Sequence, residues 1–136
     1  MIQRLSAADF VGRLMEVLEN RTGIPCYSSP DDEPSPLLSV QLLRSHPENT
    51  KTMFIDVFDI WIHCISESAI PYSDAPALEL VKKVEGALML PFNLPPPFTL
   101  QNIEYDGLET VKKDETGEGH AVLSFHFSVC YGFDVK

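Results

Sequence analysis

Apolar residues near the N-terminus recur with the spacing of an amphipathic helix. Between Ser6 and Asn20 they fall at Ala7, Phe10, Val11, Leu14, Val17 and Leu18. This spacing places them on one side of a helix. Ser6, followed three residues later by Asp9, is a variant of the capping box, and Gly23 is the residue type that most often ends a helix. The pattern therefore predicts a helix with one face to bury.

Alternation of apolar and polar residues predicts four strands in two hairpins. The segment LLSVQLL (37–43) alternates, the polar stretch RSHPENTKT (44–52) follows, and MFIDVFDIWIHCIS (53–66) then predicts a long strand. The second hairpin joins TLQNIEYDGLETVKK (99–113) to HAVLSFHFSVCYGF (120–133) through the polar turn DETGEG (114–119). A bulge is expected near Asp106 and Gly107, where the first of these two strands loses its alternation.

The last predicted strand has the clearest two-residue period in the chain. One face carries Ala121, Leu123, Phe125, Phe127, Val129 and Tyr131. The opposite face carries His120, Ser124, His126 and Ser128. Because successive side chains of a strand point to opposite faces, this pattern indicates a sheet with one face in the core and one polar face.

A second helix is predicted between the two hairpins. Ser73 or Asp74 can cap it, Pro76 is tolerated in its first turn, and its buried row is predicted to be Ala77, Val81, Val84 and Leu88. The segment LPFNLPPPF (90–98) ends this helix, because proline lacks the amide donor that a helix needs. The segment SSPDDEPSP (28–36) is predicted to be a surface loop.

The element order α-β-β-α-β-β indicates an α+β fold. Two helices can cover one face of a mostly antiparallel four-stranded sheet, which gives a sandwich of two layers. With 136 residues, the chain is long enough to bury a core without disulfides or metal. We expect one α+β domain spanning residues 1–136.

Charge and composition exclude several classes of function. The net charge is −10, and the largest basic clusters are two pairs of lysines, so direct sequence-specific binding of nucleic acid is disfavoured. The sequence lacks an apolar run of the roughly 18 to 20 residues that span a bilayer, so no membrane partner and a cytosolic location are expected. Cys26, Cys64 and Cys130 are odd in number and have no C-x-x-C spacing, which favours reduced core thiols.

Asp59, Trp61 and His63 occupy alternate positions of an otherwise apolar strand. An acid and an imidazole on one face suggest a metal or catalytic site, but Asp59 and His63 are about 13 Å apart along a strand. Metal ligands must lie within about 2.0 to 2.2 Å of one ion, so these two residues cannot share one. His120 and His126 fail the same test at about 20 Å. A cross-strand pair of His63 with His126 is left open, since the sequence does not fix the register.

Nucleophilic catalysis has no sequence support. The chain has no G-x-S-x-G motif, and its cysteines do not lie in a basic or helix-start context that would lower a thiol pKa. Glu104 and Asp106 could form a carboxylate pair, yet solvated strand positions explain them more simply. We expect no enzymatic reaction, no cofactor and no metal.

Trp61 is the unusual residue of the polar face. With a bulge at Val57 and Phe58, Asp59, Trp61 and His63 would share the face that the core does not use. A tryptophan in that position either packs under a loop of its own chain or contacts a partner. We predict that these three residues form a subunit or partner interface, with the covering loop as the alternative.

The order of these segments resembles the tail terminator and tail completion proteins of long-tailed bacteriophages and prophages. The passages that carry the resemblance are the strand WIHCIS, the helix ending in VEGAL, and the acidic turn before HAVLSFHFSV. The likeness covers nearly the whole chain, and it lies in the order and spacing of these passages, because the family has no catalytic signature.

The resemblance implies a structural role in phage assembly. It implies a homo-oligomeric ring, typically a hexamer, at the head-proximal end of the tail tube, in contact with the tail tube protein and the head connector or neck protein. Such a protein would be present in the host cytoplasm during assembly and then in the virion tail. Two rival readings come from the residues themselves: a small cytosolic ligand-binding or regulatory domain, and an enzyme or metal protein built on His63 and His126.

Overall fold

The described residues fold into two helices and a five-stranded mixed sheet. The computed structural model describes residues 3–28, 34–68, 74–113 and 118–133. In chain order, the elements are α1 (Ala7–Thr22), β1 (Cys26–Tyr27), β2 (Leu37–Pro47), β3 (Met53–Ser68), α2 (Ala75–Ala87), β4 (Thr99–Lys113) and β5 (Glu118–Phe133). The strand order is β1-β2-β3-β5-β4, and only β1 and β2 are parallel.

The predicted α+β class is confirmed, whereas the prediction of a four-stranded sheet is wrong. The additional strand is β1, in which Cys26 lies beside Leu38 of β2. Two residues are too few to show any alternation, so the sequence pattern could not reveal this strand. The observed order is therefore α-β-β-β-α-β-β.

Both helices begin and end near the positions that the sequence indicates. The Ser6 hydroxyl accepts a hydrogen bond of 3.0 Å from the backbone N–H of Asp9, and Gly23 ends α1 with a left-handed φ of 74°. Asp74 lies at the start of α2 and is followed by Pro76 in the first turn, whereas the alternative cap Ser73 lies outside the described residues. The predicted row of α2 is buried.

In the first hairpin, β2 is longer and the turn is shorter than the sequence predicts. Residues Arg44 to Pro47, assigned to the polar turn from the sequence, continue β2 and pair with β3. The turn is closed by polar side chains, since Asn49 Oδ1 accepts from the Ile55 N–H at 2.9 Å and Thr50 Oγ1 accepts from the Met53 N–H at 3.0 Å. Arg44 and His46 therefore lie beside the polar residues of β3.

The expected bulge at Val57 and Phe58 is absent from the described strand pairing. β3 pairs with β5 without interruption from Ile55 to Ile65, and the irregularity lies earlier, between Phe54 and Ile55. As a result, Ile55 and Val57 share a face with Asp59 and are not on the core side. The bulge expected in β4 is confirmed as a register shift between Tyr105 and Gly107, where Gly107 has a φ of 111°.

The core lies between the helices and one face of the sheet. Phe10 of α1 stacks on Phe58 of β3 with ring centroids 4.5 Å apart, and it lies 5.3 Å from Phe127 of β5. The sheet side of this core includes Phe58, Ile60, Ile62, Cys64, Ala121, Leu123, Phe125, Phe127 and Val129. Neither described helix is long and apolar enough to cross a membrane.

The prediction of core thiols is confirmed. Cys26, Cys64 and Cys130 are buried and free. Burial raises the pKa of the Cys26 and Cys64 thiols to about 12 in each case, so both stay protonated at neutral pH. The predicted loop at 28–36 and the predicted turn at 114–119 lie mostly outside the described residues, and Glu118 and Gly119 of that turn belong to β5.

Candidate functional site

The three predicted site residues lie on the sheet face opposite the helices, which we call the open face. Asp59, Trp61 and His63 are the odd-numbered residues in the middle of β3, whereas the even-numbered residues beside them enter the core. In register, Asp59 lies opposite His126 of β5 and Trp61 lies opposite Ser124. The predicted shared face is thus observed without the expected bulge.

Asp59 is the centre of an ion-pair cluster. Asp59 is only 8% exposed, and its Oδ2 lies 3.3 Å from Arg44 Nε and 3.7 Å from His46 Nδ1. Its Oδ1 forms a short contact with His126 Nδ1. Because β2 extends as far as Pro47, cationic groups from β2 and β5 reach this carboxylate from both sides. Most of the Asp59 carboxylate surface is therefore already in contact with its own chain.

His126 bridges two carboxylates on neighbouring strands. Its Nδ1 contacts Asp59 of β3, and its Nε2 contacts Asp106 of β4. A neutral imidazole has one N–H donor, whereas the cation has two, so this arrangement fits the protonated ring. Burial lowers the pKa of His126, but the hydrogen bonds and charges of Asp59 and Asp106 outweigh it and raise that pKa. A charged row thus crosses β2, β3, β5 and β4.

His63 belongs to a second polar row. Its Nδ1 lies 2.9 Å from His120 Nε2 on β5, and its Nε2 lies 2.7 Å from Gln41 Oε1 on β2. The sequence left open a site formed by His63 and His126 on neighbouring strands. This possibility is wrong, because the register places His63 opposite Val122. Asp59 and His63 are therefore joined to different histidines and do not form one site.

The described residues contain no group of three or more potential metal ligands. Of the two carboxylates considered as a pair, Asp106 contacts His126, and Glu104 lies opposite His126 in register. Tyr105, which lies between them, points to the helix side and stacks on Phe125 with ring centroids 4.6 Å apart. The polar groups of the open face therefore hold neighbouring strands together.

Trp61 lies between the two polar rows. It is half-buried, and its ring meets that of His63 in an edge-on arrangement with centroids 6.2 Å apart. Asp59 on one side and His63 on the other are held by their own partners. Trp61 is thus a large aromatic side chain between two polar residues that are held in place, a geometry suited to an interface anchor.

Sequence reasoning missed two grooves on the helix side of the sheet. One, of about 610 Å³, lies between α2 and β4 and is lined by residues that include Glu85, Leu88, Met89, Leu100, Ile103 and Tyr105. Tyr105 Oη donates a hydrogen bond of 2.7 Å to Glu85 Oε2 at this groove. The other, of about 530 Å³, lies between α1 and β2.

An apolar tip follows α2. Met89 is 82% exposed and Leu90 is 66% exposed, which makes them the most exposed large hydrophobic residues of the described chain. The sequence signal was the apolar run LML directly after the helix and before Pro91. The helical pattern gives a buried position to Leu88 but none to Met89 or Leu90, and an exposed apolar pair of this kind is a candidate contact site.

Comparison with known proteins supports the resemblance noted from the sequence. A comparison with curated proteins gives no significant match. A model of a family described as a phage tail termination protein matches residues 1–136. Since this match covers the whole chain, the chain belongs to the phage tail terminator family, a family of structural phage proteins.

Proposed function

We propose that the chain acts as a tail terminator, closing into a ring on the head-proximal end of the tail tube. We propose that this ring is a hexamer, as the resemblance implies. It stops addition of further tube subunits and offers a new surface to the head connector or neck protein. The observation that carries the proposal is the family match over residues 1–136. We propose that these residues act as one domain, without a reaction or a cofactor.

The two faces of the sheet suit a protein that must recognise two different partners. Both helices cover one face, whereas the open face presents Trp61 between Asp59 and His63. A ring that ends a tube needs one surface for the tube protein and another for the connector. We propose that Asp59, Trp61 and His63 mark a subunit or partner interface, in which Trp61 makes the contact and the two polar residues fix its surroundings.

Deletion of the gene from its parent phage or prophage tests the role itself. We expect tails of uncontrolled length that do not join heads, because tube subunits would continue to add when nothing caps the end. Electron microscopy of the lysate measures tail length and head attachment. Tails of normal length without heads would reassign the chain to a joining role. Infectious virions of normal length would contradict both roles and favour a small ligand in the groove between α2 and β4.

Replacing Trp61 with alanine tests the interface on the open face. We expect folded protein with reduced termination or head joining, since a half-buried aromatic anchor would be lost. Circular dichroism checks the fold, and tail length with infectivity measures the function. Phe133→Ala is the matched control, because Phe133 is an exposed aromatic residue at the end of β5. Normal tails and infectivity for folded Trp61→Ala protein would remove Trp61 from the interface.

A further inference from the structure

The two edges of the sheet differ, and an apolar tip beside one edge matches an apolar groove beside the other. β4 forms one edge over its whole length. At the opposite edge, β1 covers β2 only at Leu38 and Ser39, so the rest of β2 lacks a strand neighbour on that side within the described residues. We propose that the β4 edge of one subunit docks on the β2 edge of the next copy of the chain. This inference rests on the ring of the proposed function and identifies the contact surfaces.

The apolar tip on the β4 side is held in a fixed position. The Arg21 guanidinium at the end of α1 donates hydrogen bonds to the carbonyl oxygens of Ala87 at 2.7 Å, Leu90 at 2.8 Å and Pro91 at 2.9 Å. Three bonds to successive parts of this turn restrain its backbone, while the side chains of Met89 and Leu90 stay exposed. A restrained apolar projection loses little conformational freedom on binding.

The groove between α1 and β2 is the matching feature at the opposite edge. Its apolar lining includes Ala7, Ala8, Val11, Gly12, Met15 and Leu42. A Cβ atom built at Gly12 meets nothing within 4 Å, so this part of the groove has room for an incoming side chain. The tip lies beside the groove between α2 and β4, whereas its matching groove lies between α1 and β2. The tip and its matching groove are therefore on opposite sides of the helix layer.

The charges of the two edges are complementary. Residues 37–47 of β2 include Arg44 and His46 and no acid, although the whole chain has a net charge of −10. β4 carries Glu104, Asp106 and Glu109 along its middle, and Lys112 and Lys113 stand at its end. Opposite charges on two surfaces favour their encounter and set their orientation. The acidic middle of β4 and the basic end of β2 favour a second copy of the chain as the occupant.

The contact is made by side chains and not by a continuous strand ladder. β4 has three register shifts against β5, and β2 has one between Leu42 and Arg44. Bulges interrupt the regular row of backbone donors and acceptors that strand addition requires. Because the tip and the groove are different patches, the contact is heterologous, and a heterologous contact whose rotation closes produces a ring.

Thiol cross-linking tests which surfaces meet. The variants are Leu90→Cys at the tip and Gly12→Cys in the groove, and the native cysteines do not interfere because they are buried. A short bismaleimide is added to purified protein at millimolar concentration and to isolated tails. We expect no cross-link for either single variant, a dimer for their mixture, and a ladder of larger products for the double variant. Leu90→Cys mixed with Lys51→Cys, at the turn between β2 and β3, is the control and should give no product.

Two results would overturn the contact. A dimer from Leu90→Cys alone would show that tips meet tips, and no product from the mixture in either preparation would show that the tip does not enter the groove. Leu90→Asp separates this inference from the proposed function. Uncontrolled tails after gene deletion, together with normal tails for Leu90→Asp, would leave the terminator role intact and remove the contact.

Discussion

Replacing Phe10 with alanine is expected to lower the free energy of unfolding by about 3 to 5 kcal/mol, the usual cost of deleting a buried aromatic ring. Phe10 is fully buried and connects α1 to the two central strands, with its ring 4.5 Å from that of Phe58 and 5.3 Å from that of Phe127. The cavity would lie where the helix layer meets the sheet. Since domains are stable by only about 5 to 15 kcal/mol, the variant should be marginally folded.

Chemical denaturation followed by circular dichroism measures this loss. Val11→Ala is the matched control, because Val11 is the next residue of α1 and is only partly buried against the core. It should cost much less than Phe10→Ala. A loss below about 1 kcal/mol for Phe10→Ala would mean that the helix repacks over the sheet without the ring, contrary to the expected cavity cost.

The sequence predicted those elements whose signal is local. α1 has a capping serine, a helical stripe and a terminal glycine, and all three appear in the structure at the expected positions. β5 alternates over much of its length because one of its faces lies in the core. The two residues of β1 have no such signal, since their pairing with β2 depends on the position to which the chain returns after α1.

The open face was only partly predictable, because contacts between strands depend on register. The sequence shows that Asp59 and His63 lie on one face, but not that they pair with His126 and His120 respectively. A register shift of one residue would exchange the two faces of a strand. Arg44 was assigned to a turn because it follows a short alternating run, yet the strand continues and brings its guanidinium to Asp59.

The charged row on the open face has a structural consequence for the β4 edge. β4 is joined to β5 by an irregular ladder with three register shifts. The Asp106 side chain, located at one of these shifts, reaches His126 and through it the central strand. The protonation state of His126 therefore affects how firmly the edge that we propose as a contact surface is held.

His126 should contribute to stability in a pH-dependent way. Its pKa is raised above the ordinary value of 6.5, because Asp59 and Asp106 favour the protonated ring. Below the ordinary pKa, both folded and unfolded chains bind the proton, so the contribution is fully present. It is lost as the pH rises through the folded pKa, where the folded ring also becomes neutral. Other charged groups near the row are Arg44 and His46, through Asp59, and Glu104, opposite His126 in register.

Replacing His126 with glutamine should therefore destabilise the protein by about 1.5 to 3 kcal/mol at about pH 6, the usual range for hydrogen bonds to charged groups, and by less at about pH 9. Glutamine keeps a donor but cannot carry the charge that faces two carboxylates. Denaturation curves of both proteins across this range give the difference, and proton NMR of the imidazole gives the folded pKa. Ser128→Ala, on the same face of β5, should show a difference that does not change with pH. A His126→Gln difference that stays constant or grows with pH would mean that the ring is neutral between the two carboxylates, and that the open face is held together without its charge.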